Sequence, residues 1–162
     1  MSNDKNLTVD QTFNLAVQNH QDGKTDIAQE LYNQVLKNNP NHSGALNNIA
    51  IIFTNLKNYQ KAINFYKKAI EINPNYADAH NNLGAIFKEL GELEKAKNCY
   101  EKAIEINPNY AQAHNNLGTI FKELGENQKA KSYFKKAISI DPNFALAHNN
   151  LGNIFKELNE QK

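Results

Sequence analysis

Four prolines, Pro40, Pro74, Pro108 and Pro142, fall 34 residues apart along a chain of 162 residues. The words between them repeat as well: AHNNLGAIFKELG at 79–91 returns almost unchanged at 113–125 and again from Ala147 to Leu158. A period of this length is that of a two-helix unit, and such a unit cannot bury its apolar side alone. Neighbouring copies must therefore stack, and the chain can have no single central core. Any residue role has to be read against its position in the repeat, counted here from 9, 43, 77, 111 and 145 as position one.

Within each copy the apolar residues recur at helical spacing. Ala79, Leu83, Ile86, Phe87 and Leu90 lie at steps of three and four on one face of a first helix, and Ala96, Tyr100, Ala103 and Ile104 do the same on a second. Gly91 and Gly125 stand where the first helix must stop, because a residue without a Cβ accepts the left-handed backbone of a helix end. Lys57 occupies that place in the second copy, with Asn58 beside it as an alternative holder of the left-handed conformation. Asn-Pro-Asn after the second helix predicts a turn. Small residues at Gly84 and Ala96 predict close approach of the paired helices.

Leu83, Gly84, Phe87, Ala96, Tyr100, Ala103 and Pro108 resemble the signature of the tetratricopeptide repeat (TPR), as do Leu117, Gly118, Phe121, Ala130, Phe134, Ala137 and Pro142 in the next copy. Ile49, Ala50, Phe53, Ala62, Tyr66, Ala69 and Pro74 follow it, and Leu15, Ala16, Ala28, Tyr32, Val35 and Pro40 follow it more loosely. The family's Trp is missing, its place taken by Thr12, Leu46, His80, His114 and His148. The resemblance implies an all-α fold, a right-handed α-solenoid of antiparallel helix pairs. Four TPR units are expected at 9–42 (the N-terminal cap), 43–76, 77–110 and 111–144, after a flexible segment 1–8 and before the unpaired first helix of a fifth unit at 145–162.

The two ends differ. Thr8 and Gln11 form a capping-box pattern that starts the first helix near Val9, and Gln11, Gln18, Asn19 and Asp22 make that helix polar where inner copies are apolar. The last helix keeps Leu151, Gly152, Ile154, Phe155 and Leu158. It expects a partner, so a weak homodimer through the C-terminal helix, or a natural chain that continues, is anticipated.

Composition excludes more than it assigns. A net charge of +1, with all 18 basic residues lysine and 17 acidic ones interspersed, argues against nucleic acid and anionic membrane as partners. No apolar run approaches the roughly 18 residues of a membrane span, and the N-terminus lacks the features of a secretory signal. A single cysteine, Cys99, cannot form an internal disulfide, which fits a cytoplasmic protein.

One surface pattern stands out. Position six is asparagine in every copy (Asn14, Asn48, Asn82, Asn116, Asn150), and position five reads Phe13, Asn47, Asn81, Asn115, Asn149. Each carboxamide offers an acceptor and donors together, so a row of them can pair with the C=O and N–H of an extended polypeptide. Position nine runs Val17, Ile51, Ala85, Thr119, Asn153, apolar early and polar late. The asparagine row and the words AHNNLG and KELG resemble the superhelical repeats of O-linked N-acetylglucosamine transferases. By that resemblance the row lines a concave groove holding a protein or peptide client, with Phe13, Val17 and Ile51 beside it, and the array serves as the recognition arm of a larger protein. A self-assembling TPR scaffold without a client, or a catalytic module, is the alternative. Asp10, Gly44, Asp78 and Gln112 at position two, with no arginine, do not suit the Lys/Arg clamp by which TPR domains hold a terminal carboxylate.

Catalytic and metal chemistry have little support, and no cofactor is expected. No nucleophile stands with a base, no phosphate loop occurs, and the histidines at position four are spaced by a helix diameter, too far apart to share an ion. The sequence is read as non-enzymatic.

Overall fold

The computed structural model describes residues 7–160, with side chains described as far as residue 157. Residues 1–6 of the expected flexible segment, and the side chain of Leu158, lie outside the described residues. Among those described are nine helices and no strand: α1 (Val9–Gln21), α2 (Thr25–Asn38), α3 (Ser43–Asn55), α4 (Tyr59–Ile72), α5 (Ala77–Glu89), α6 (Leu93–Ile106), α7 (Ala111–Glu123), α8 (Asn127–Ile140) and α9 (Ala145–Glu160). The chain divides into two compact units, residues 1–74 with α1–α4 and residues 75–162 with α5–α9. Within each unit the helices pack in pairs across short turns, α1 on α2, α3 on α4, α5 on α6 and α7 on α8.

Local chemistry sets the helix ends. The Thr8 hydroxyl accepts from the Gln11 N–H while the Gln11 side chain accepts from the Thr8 N–H, so the capping box is formed and two of the orphan donors of α1 are satisfied. After the second helices, Asn39, Asn107 and Asp141 each accept through Oδ1 from the backbone N–H two residues on, closing the Pro-containing turns. Gly91 and Gly125 adopt φ of +75° and +77°, as the stop signal required. At the corresponding place in the second copy the left-handed residue is Lys57, φ 56°, and not Asn58. Asn58 instead caps α4, its Oδ1 accepting from Lys61 N at 3.3 Å.

In the first unit Ala16, Ala28, Tyr32, Val35, Ala45, Ile49 and Ile52 form the core, with Phe13, Val17, Phe53 and Phe65 packed on it. In the second unit the repeat positions return as Leu83, Ile86, Tyr100, Leu117, Ile120 and Phe134, all buried. Each large side chain so buried contributes about 1.5–3 kcal/mol. Close approach inside a pair is enforced at position eight: a Cβ on Gly84 would stand 2.8 Å from Tyr100 Cε1, and one on Gly118 2.7 Å from Phe134 Cε1. The helices can meet there only because the aromatic ring rests on bare backbone.

Candidate functional site

The first helices place the sixth-position asparagines, and their surroundings differ between the two units. In the first unit Asn48 Nδ2 donates to the Tyr32 hydroxyl at 3.0 Å, while its Oδ1 accepts from Asn47 Nδ2 at 3.1 Å. Val17, His20, Gln21, Tyr32 and Asn48 line one shallow cleft of about 280 Å³, so two of the anticipated site residues, Val17 and Asn48, share a surface. Asn14 is exposed and Ile51 half-buried. Phe13 is partly spent on structure. Its ring lies 4.4 Å from that of His42, and a Cβ on Gly44 would approach Phe13 Cζ to 3.1 Å. His42 in turn caps α3, accepting through Nδ1 from Ala45 N.

In the second unit the asparagines interlock. Asn116 Nδ2 donates to Asn81 Oδ1 and Asn150 Nδ2 to Asn115 Oδ1, both at 3.0 Å. Asn81 Nδ2 donates to Asn82 Oδ1 at 3.4 Å. The expectation that position five lines the surface is corrected here. Asn47, Asn81 and Asn115 are buried, at 4%, 6% and 1% exposure, and only Asn149 is exposed. For Asn81 and Asn115 the physical reason is the next first helix, which closes over position five and brings its own position-six carboxamide as the donor. Asn47 Oδ1 is buried with no hydrogen-bond partner among the described residues.

Asn116 and Asn150 thus have a fixed orientation. A carboxamide carries two N–H groups and an acceptor oxygen. The bond to the preceding repeat uses one N–H of Asn116 and of Asn150, leaving the second N–H and Oδ1 of each on a half-buried surface. Thr119 beside them turns its hydroxyl inward onto Asn115 O at 3.1 Å. Towards the turns, the Tyr110 hydroxyl donates to Asp78 Oδ1 at 2.7 Å, and burial, then that carboxylate, raise the phenol's pKa. Position two therefore presents an acidic group already engaged, in keeping with the absence of a basic clamp.

The position-four histidines serve the turns. His114 and His148 each donate from Nε2 to the carbonyl of the preceding proline, Pro108 at 3.0 Å and Pro142 at 2.9 Å. His114 is buried, its Nδ1 has no hydrogen-bond partner among the described residues, and burial lowers its pKa. No group of three or more His, Cys, Asp or Glu suited to a metal occurs among the described residues, and none of their helices is long and apolar enough to cross a membrane. On the second helices, lysines pair with nearby glutamates, Lys97 with Glu94 and Lys102 with Glu105 at 2.9 Å, and Lys61, Lys95 and Lys129 lie over the rings of Phe53, Phe87 and Phe121. Those lysine heads cover aromatic edges and mix with acids, as a solvated outer face does.

Comparison with known proteins agrees with this architecture. The TPR repeat signature matches residues 52–91 and 84–125, and tetratricopeptide repeat signatures match 13–42, 31–64, 111–144 and 133–162. No curated protein matches the sequence. Among solved structures, a crystal structure of MamA is similar at 28% identity and a TM-score of 0.77, over 89% of this chain and 84% of that one. PilF of Pseudomonas aeruginosa shares the fold at 22% identity and a TM-score of 0.86, over 94% and 69%. The first TPR of Spaghetti (RPAP3), solved bound to the HSP90 peptide SRMEEVD, shares it at 22% and 0.69, over 72% and 92%. With repeat signatures running from residue 13 to residue 162, the chain belongs to the tetratricopeptide repeat family.

Proposed function

We propose that this chain is a protein-interaction module that binds an extended polypeptide through its sixth-position asparagines, and that it serves as the recognition arm of a larger protein. The observation that carries the reading is the held carboxamide. Asn116 and Asn150 each have one N–H fixed by the preceding repeat, so the remaining N–H and Oδ1 meet a client without the entropy of a free side chain. Backbone pairing of this kind is tolerant of client sequence. Selectivity then comes from the neighbours: Val17 and the aromatic surroundings of Asn48 in the first unit favour apolar side chains, while Asn153 in the second favours polar ones.

The fold accommodates a peptide in at least one relative, since the RPAP3 structure holds one. The acidic peptide in that complex is not the client expected here, because position two offers Asp10, Gly44, Asp78 and Gln112 and the sequence has no arginine.

A library of linear peptides displayed on phage, selected against the intact chain, supplies the probe. Each rung contributes about 0.5–1.5 kcal/mol, so changing Asn116 and Asn150 together to Ala is expected to weaken the selected peptides by roughly 5–150-fold. Undiminished binding by a double variant that still folds would refute the reading.

A further inference from the structure

Lys61, Lys95 and Lys129 hold one repeat position, each over the ring of a first-helix phenylalanine, but their charges are not balanced alike. Lys95 pairs with Glu92 and Lys129 with Glu126, three residues earlier. In the second copy that place is Asn58, which caps α4, and neither Lys61 nor Lys68 forms an ion pair among the described residues. Lys102, at the place of Lys68 one copy later, is held by Glu105. Lys61, Asn64 and Lys68 are exposed on α4 and, with Phe53 and Phe65, line an open cleft of about 350 Å³. Its floor is the two half-buried phenylalanine rings, stacked at 5.6 Å and 10°. The third copy has Cys99 in place of Phe65 and lacks that floor. Asn64 Oδ1 accepts from Gln60 Nε2 at 3.3 Å, which turns its N–H groups to the outside. The cleft thus offers two cations and amide donors above an apolar floor, with no carboxylate among its lining residues.

We propose that this cleft is a second docking site, one that takes an acidic peptide segment with an aromatic side chain between two carboxylates on the same face. Charge complementarity and the aromatic floor select that occupant. A ring laid on Phe65 gains both apolar burial and aromatic contact. Lys61 and Lys68, seven residues apart on a helix, are rooted roughly 10 Å from each other. Two separated acceptors therefore suit them better than one compact anion. In an extended peptide the residues two before and two after the aromatic share its face, about 13 Å apart, a span that two lysine side chains cover. The volume lies near the lower end of the roughly 300–1,000 Å³ of ligand pockets, which admits one or two side chains and not a helix. The cleft shares no residue with the asparagine surface and does not depend on how that surface is used.

The probe is a fluorescein-labelled peptide, Gly-Ser-Glu-Thr-Phe-Thr-Glu-Ser-Gly, titrated into the intact chain and read by fluorescence anisotropy. Saturable binding is expected. It should weaken about fivefold or more when alanine replaces the peptide's phenylalanine, when glutamine replaces both its glutamates, and in a chain with Lys61→Gln and Lys68→Gln. Asn58→Glu restores the carboxylate of the sister copies and is expected to weaken binding about threefold. Lys129→Gln with Lys136→Gln removes the same charge from α8 and is expected to leave binding unchanged. All these chain positions are exposed, and circular dichroism checks that each variant folds. Failure of the peptide to bind, or undiminished binding by the Lys61→Gln, Lys68→Gln chain, overturns the proposal. Equal binding by the alanine peptide, or an equal loss in the α8 variant, overturns it too, by reducing the capture to diffuse attraction between charges.

Discussion

The carboxamides of Asn116 and Asn81, 35 residues apart in sequence, are joined by a hydrogen bond of 3.0 Å that ties one first helix to the next. Asn81 is buried and Asn116 half-buried, so the bond is shielded on one side and open on the other. Asn81→Ala removes the acceptor and is expected to cost about 1–2 kcal/mol. Asn14→Ala, on an exposed helix position, should be neutral or raise stability by a few tenths of a kcal/mol, alanine being the better helix former. Urea denaturation of the two variants side by side checks the contrast.

Glycine at position eight should matter in two copies and not in a third. Gly84→Ala and Gly118→Ala push a methyl group into Tyr100 and Phe134, at an expected cost of about 1–3 kcal/mol. Gly152→Ala meets no atom and removes a mid-helix glycine, so about 0.5–1 kcal/mol of stabilisation is expected. Thermal midpoints of the three variants read the difference directly.

Lys57 holds the left-handed conformation that glycine holds in the other three turns. A side chain in that region costs roughly 1–2 kcal/mol, part of which a glycine returns through its freer unfolded state. Lys57→Gly is therefore expected to stabilise the first unit by about 0.5–1 kcal/mol, measured by chemical denaturation.

His114 is held neutral by burial, its pKa below the ordinary 6.5, while in the unfolded chain it protonates near that value. Between the two values the unfolded state binds more protons. Its contribution is thus complete above about pH 6.5 and is lost as pH falls through that value towards the depressed folded pKa. His114→Gln keeps an N–H for the Pro108 carbonyl but does not titrate, so its stability should fall less steeply between pH 7 and pH 5. Matched denaturation series across that range provide the check.

Much of the fold was legible because helices announce themselves locally. Thr8 and Gln11 capped α1 as their spacing requires, and the glycines before α6 and α8 ended the preceding helices. The site was harder to read. A helical wheel places position five next to position six, and asparagine is polar, so hydropathy sends Asn81 and Asn115 to the surface. Their burial depends on a helix 34 residues later bringing a complementary carboxamide, and no local pattern carries that information. The packing of the half-buried Phe13 ring was not legible for the same reason, since the bare backbone of Gly44 beside it belongs to another helix. Tyr32 is core, as its repeat position requires, and the reach of its hydroxyl to Asn48 gave no sequence signal.

The bonds between successive first helices of the second unit share one arithmetic. Asn81 to Asn116 and Asn115 to Asn150 span 35 residues, and so do the ion pairs Lys88 to Glu123 at 3.6 Å and Lys122 to Glu157 at 2.8 Å. The copy at 111–144 therefore carries both a socket for its successor and a plug for its predecessor. Copying those 34 residues, or excising them, rejoins a socket to a plug of the same kind. Length is then a freely adjustable trait, and unequal exchange between copies can lengthen or shorten the interaction surface while leaving each junction chemically whole.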